Sequence, residues 1–98
     1  MPASLRLAMF PEHVGSEFEV LDDPSRIFRL ILVEVVEHAK TERNEAFSLI
    51  FHGPSDPFLA QGIHKLKHAT LGELEIFLVP VGQDKGGFQY EAVFNHTL

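Results

Sequence analysis

Phe47-Ser48-Leu49-Ile50-Phe51-His52, running into Gly53-Pro54, is the stretch that decides the fold. Phe47, Leu49 and Phe51 share one face and Ser48, Ile50 and His52 the other. That is the two-residue period of a strand with one side in a core. Pro54 lacks a backbone N–H, so pairing stops there. The same grammar recurs downstream. In Gly62 to His68, His64, Leu66 and His68 lie opposite Ile63, Lys65 and Lys67. Leu74, Ile76 and Leu78 alternate first with Glu73 and Glu75, then with Phe77, Val79 and Val81, which make the outward side apolar. Phe88, Tyr90, Ala92 and Phe94 face away from Gln89, Glu91, Val93 and Asn95. Ala69-Thr70-Leu71-Gly72 and the loop Gly82 to Gly87 supply hairpin reversals.

Upstream, Ser16 to Leu21 sets Phe18 and Val20 against Glu17 and Glu19, a first strand closed by the turn cluster Asp22-Asp23-Pro24-Ser25. Ile27 to Val36 is a second strand, rich in β-branched residues. Its faces are Ile27, Arg29, Ile31, Val33, Val35 and Phe28, Leu30, Leu32, Glu34, Val36, both largely apolar. Glu37 to Glu45 reads as a charged connection. Pro11 to Gly15 fits a short helix opened by proline and closed by glycine, with Phe10 and Val14 plugging one end of the sheet. Six strands leave too few residues for covering helices, so the sheet must close on itself. The prediction is one domain over residues 1–98: a six-stranded antiparallel β-barrel or a tight two-layer sandwich, with a short N-terminal helix.

Ninety-eight residues bury one modest core, and 45% hydrophobic residues is a globular composition. Fourteen acidic against eight basic residues give a net charge of −6. That disfavours nucleic acid and anionic membrane surfaces, whose affinity rests on Lys and Arg. Without cysteine there is no disulfide framework, thiolate metal site or cysteine nucleophile. No apolar run reaches membrane-spanning length, and Arg6 interrupts any signal-like core. A cytoplasmic protein is the expectation.

Six histidines raise a metal hypothesis. His64 and His68 are about 13 Å apart along one strand face, whereas ligand nitrogens on one ion lie within roughly 4 Å of one another. His52, on a neighbouring strand, would have to join one of them, with Glu34 or Glu37 as the carboxylate. The plainer reading has His64 and His68 half-buried at the strand ends, bonded to backbone or water. No cofactor is called for. Nor is a catalytic set: no serine sits in a glycine-flanked elbow, and the pairs Glu73/Glu75 and Glu17/Glu19 read as solvated edge charge. Gly82 to Gly87 has no following helix to cradle phosphate.

The exceptions to alternation point to association. The outward residues Ile31, Val33 and Val35 of the second strand, with Phe77, Val79 and Val81 of the fifth, form the candidate interaction surface of a homodimer or of docking to a protein partner. The loop residues Phe58 and Leu59, in a stretch stiffened by Pro54 and Pro57, are the second candidate. Their simpler fate is to fold back over the end of the sheet. A non-enzymatic binding or assembly module is the reading these residues favour. The alternative is a small-molecule or metal-binding barrel using the histidines.

From Phe47 onward the ordered series Phe47-Ser48-Leu49-Ile50-Phe51, Gly53-Pro54, Gln61-Gly62, His68, Leu71-Gly72, Phe77-Leu78-Val79-Pro80-Val81 and Tyr90-Glu91-Ala92-Val93-Phe94-Asn95 resembles a family of bacterial domains of uncharacterised function. Gly15 to Val20 and Leu32 to Val35 fit it more loosely. The resemblance implies a stand-alone β domain of about one hundred residues. It also implies, for members encoded near proteins similar to phage tail-collar proteins, an accessory place in a tail-like assembly. It assigns no catalytic residue.

Overall fold

The alternating run around Phe47 is the third of six strands in the computed structural model, which describes residues 5–97. The strands are β1 (Glu17–Val20), β2 (Phe28–Lys40), β3 (Asn44–Gly53), β4 (Gly62–His68), β5 (Gly72–Asp84) and β6 (Gly87–Thr97). All pairs are antiparallel, in the order β1-β2-β3-β6-β5-β4, and β4 returns to β1. The chain is mainly β, as its periodicity predicts. Phe47, Leu49 and Phe51 point inward and are fully buried, with Phe18, Leu30, Leu66 and Leu78 around them. Phe47 stacks on Phe94 at 4.8 Å, and Phe51 meets Phe18 edge-on at 5.2 Å. Such aromatic pairs add about 0.5–1.5 kcal/mol each beyond their buried area.

Two stretches read as connections are largely strand. Glu37 to Glu45 pairs on itself, β2 continuing to Lys40 and β3 starting at Asn44, with Lys40 opposite Glu45. The Thr41 N–H donates to the Asn44 carbonyl at 2.8 Å, closing the turn. This end of the hairpin lies past the main core, so its residues lack the apolar alternation by which a strand is recognised. Gly82 to Gly87 shortens likewise to the two-residue turn Lys85-Gly86. The N-terminal helix is two single 3-10 turns, Leu7–Met9 and Pro11–His13. Pro11 opens the second, and Gly15 follows it at φ +93°, a region only glycine enters freely. Phe10 is fully buried against Phe47 and Phe94, while Val14 is exposed, so the plug is Phe10 and Leu7.

The two apolar faces of β2 have a different cause from the one expected. The β2–β3 register shifts between Leu32 and Glu34, leaving Val33 as an extra residue. A bulge of this kind inverts the phase of alternation. Leu30 and Leu32 point inward before it, and Val35 points inward after it, opposite Leu49 and packed on the core. Val35 therefore does not share an outer face with Ile31 and Val33.

The start of β6 crosses the end of β3 at a pair of glycines. Gly87 has φ +142°, and a Cβ built there would lie 1.9 Å from the Gly53 carbonyl oxygen. Backbone cannot yield as a side chain can. Gly87→Ala is expected to lower unfolding free energy by roughly 3 kcal/mol or more, read as a drop in the urea midpoint. Gly53→Ala, whose Cβ meets the end of the Leu30 side chain at 2.5 Å rather than backbone, is expected to cost less. The reverse ranking would contradict this account of the crossing.

Candidate functional site

The ring order decides which candidate residues can meet. β3 and β4 stand on opposite sides of it, separated by two strands in either direction. His52 on β3 therefore cannot join His64 or His68 on β4, and the proposed ligand set is not assembled. Among the described residues no three His, Asp or Glu side chains converge in a metal-binding group.

Each of these histidines instead closes a local structure. His68 is 4% exposed, inside the turn that joins β4 to β5. Its Nδ1 accepts the backbone N–H groups of Thr70 at 3.0 Å and Leu71 at 3.1 Å. That fixes the tautomer: Nε2 carries the proton and donates to Ser16 Oγ at 2.9 Å, and Ser16 donates to the His13 carbonyl at 2.6 Å. The ring packs on Phe18 at 4.6 Å and on the His13 ring at 4.5 Å. Both nitrogens and the serine proton are thus engaged, so the pair is neither an activated nucleophile nor a free ligand.

His64 lies between two acceptors. Nδ1 bonds the Asp22 carboxylate, and Nε2 donates to the Ala60 carbonyl at 2.7 Å. The other Asp22 oxygen takes the Lys65 N–H at 3.1 Å. His52 donates to Asp84, which also accepts the Gly86 N–H at 2.8 Å and so holds the β5–β6 turn. The His52 bond and then the Gly86 N–H hold the Asp84 carboxyl below its ordinary range. At the other end of the sheet, Glu45 is buried with one oxygen receiving the Leu7 N–H at 2.9 Å and Arg6 Nε at 3.2 Å. The Leu7 N–H is the main cause of its lowered pKa. His96, opposite Glu45, has a buried Nε2 without a hydrogen-bond partner among the described residues. Sequence reading missed Ser16, Asp22, Glu45 and Asp84, because each acts on a residue far along the chain and no short motif marks such a pair.

A surface cavity of about 490 Å³ opens beside His68, lined also by Glu17, Glu19, Arg29 and Lys67. Arg29 lies 3.7 Å from Glu19. Two carboxylates and two basic side chains leave the lining without a net formal charge.

The association candidates fall in separate places. β2 and β5 are also opposite one another in the ring, so their outer residues do not form one surface. Ile31 and Val33 are exposed on β2; Phe77 and Val81 are exposed on β5, with Val79 half-buried between them. Leu59 is buried and donates its N–H to the Tyr90 hydroxyl at 3.0 Å. Phe58 is half-exposed and packs on Phe88 at 4.7 Å. The loop thus caps the end of the sheet, with Leu59 removed from the candidate surface. Among residues not singled out, Ile63 is 68% exposed and Val93 64%. Alternation had placed both outward. The missing information was register, which pairs Ile63 with Phe77.

A family model described as Domain of unknown function (DUF6916) matches residues 5–94. No curated protein and no solved structure matches the chain. Among the described residues no helix is long and apolar enough to cross a membrane.

Burial and the neighbouring His13 lower the pKa of His68 from its ordinary 6.5. The folded protein then binds fewer protons there than the unfolded chain, so stability falls as pH drops through about 6.5. Glu45 and Asp84, with lowered pKa values, stabilise the fold above their ordinary 4.5 and 3.8 and lose that contribution as the pH falls further. The histidine and carboxylate windows are therefore separate. His13 and the cavity residues Glu17, Glu19, Arg29 and Lys67 are the other charged or titratable groups around the ring. Urea midpoints between pH 7.5 and 5 are expected to fall in the wild type. In His68→Asn, which retains an acceptor for the turn, the slope should flatten and the midpoint at pH 7.5 should drop. An unchanged slope would remove His68 as its source.

Proposed function

The chain belongs to the family described as Domain of unknown function (DUF6916), and we propose that it is a non-enzymatic module that binds protein through the outside of its sheet. One observation carries this reading. Ile63 and Phe77, directly paired on adjacent strands, present large apolar side chains to solvent, and Val93 lies on the next strand. Single exposed apolar residues are ordinary, whereas a row across neighbouring strands is the character of a contact surface. Lys65 and Glu75, the next pair along, give it a charged rim.

The scaffold is best taken as a six-stranded barrel rather than a sandwich, since β1 pairs on both sides and leaves no terminal strand. Bacterial origin, a cytoplasmic location and an accessory place in a tail-like assembly complete the proposal on resemblance and composition alone. Co-purification with the products of flanking genes tests that setting.

The double variant Ile63→Glu/Phe77→Glu is expected to keep the wild-type circular dichroism, since both side chains face outward. It should bind a co-purifying protein partner at least about 100-fold more weakly, the cost of placing carboxylates in an apolar contact. Calorimetric titration of the isolated pair measures this. Equal affinity of variant and wild type would overturn the assignment of the surface.

A further inference from the structure

β5 does not accompany β6 to its end. Their register stops at Val79↔Glu91, while β6 continues beside β3 as far as Thr97↔Asn44. Among the described residues, Ala92 to Thr97 therefore has a strand on one side only. The backbone groups at that open edge follow from the hairpin. Its two-residue turn closes on Asp84↔Gly87, a pair that exchanges both hydrogen bonds in such turns. The N–H and C=O groups of alternate residues from Gly87 onward then point toward β5. No shift interrupts the β3–β6 register, so the series continues through Val93, Asn95 and Thr97, beyond the last β5 partner.

The corresponding edge on the far side of the same three strands differs. β2 beyond its pairs with β1 carries Glu34, Glu37 and Lys40 and two register shifts, at Val33 and His38. Charges and bulges are the usual means by which an edge is kept from pairing. The β6 edge has neither: Ala92-Val93-Phe94-Asn95-His96-Thr97 contains no Asp, Glu, Lys or Arg and no proline. A chain of net charge −6 repels a second copy at long range. An uncharged edge is where they can approach.

We propose that the open β6 edge, Ala92 to Thr97, pairs antiparallel with the same edge of a second copy. This rests on the reading of the chain as an assembly module and names one of its partners. Antiparallel pairing of a strand with itself is two-fold symmetric, so both copies use the same surface and the assembly closes as a dimer. The β2-β3-β6 strands of the two copies become one continuous sheet, and the N–H groups of Val93, Asn95 and Thr97 gain acceptors.

Amide hydrogen exchange and light scattering on the full chain, across a dilution series, test this. The expected result is a mass twice the 11.0 kDa of one chain, with protection at Val93, Asn95 and Thr97 that falls on dilution. Asn95→Pro removes an edge N–H that β3 does not use, and Asn95→Lys adds a charge without altering the backbone. Either is expected to weaken the dimer by about tenfold or more. A chain that stays monomeric throughout overturns the inference but leaves the outer-face reading standing, because that partner has a different sequence. A dimer abolished by Phe77→Glu without edge protection also overturns it and moves self-association to the outer face. Edge protection that does not change on dilution overturns it too, since the covering segment then belongs to the same chain.

Discussion

The ring of strands closes at a narrow seam, and the rest of the structure depends on it. β1 meets β4 only through Glu19↔Lys67 and Val20↔Leu66. The β3–β6 register, by contrast, runs unbroken from Asn44↔Thr97 to Gly53↔Phe88. Without the seam, Val20 and Leu66, both buried, would lie at open edges and the core would be wet from one side. The chain reinforces it at each end. Beyond Val20, the Leu21 N–H donates to the Lys65 carbonyl at 2.8 Å, and Asp22 grips both His64 and the Lys65 N–H. Before Glu17, Ser16 accepts from His68. Two histidines of one strand thus hold the first strand at both ends, which explains their spacing better than a shared ion does.

This use of the histidines bears on function. His64 and His68, with both ring nitrogens bonded within the fold, have no lone pair for a metal and no free proton for a substrate. The inner face of the sheet is filled by Phe18, Phe47, Phe51 and their neighbours. Among the described residues, the outside of the sheet carries exposed apolar side chains that serve no core, such as Ile63 and Phe77, and the β6 edge from Ala92 to Thr97 carries no charge. Both features are the basis of the proposal that the chain binds protein.

Much of this was legible in the sequence. Alternation located all six strands, and β4 agrees at both ends, because Gly62 and His68 mark real turns. The inward set Phe47, Leu49, Phe51, Leu74, Ile76 and Leu78 follows from period two alone. Three things were not legible. The phase reversal at Val33 depends on a bulge, which no local residue announces, and it moved Val35 from the surface to the core. The outer end of the β2–β3 hairpin, Glu37 to Glu45, has no apolar period because much of it lies beyond the core. Strand order is a long-range property; once β3 and β4 were known to be opposite, His52 separated from His64 and His68. The clasp partners Asp22 with His64 and Ser16 with His68 depend on the same pairing.

The seam is most directly tested by amide exchange at Leu21 and Lys65, compared between the wild type and Asp22→Ala at neutral pH. Removing Asp22 takes away the carboxylate that holds His64 and the Lys65 N–H. Exchange at both amides should accelerate strongly, while amides of the β3–β6 ladder such as Leu49 and Ala92 change little. Equal acceleration throughout, or none at Leu21 and Lys65, would contradict the view that the histidines serve to clasp β1 to β4.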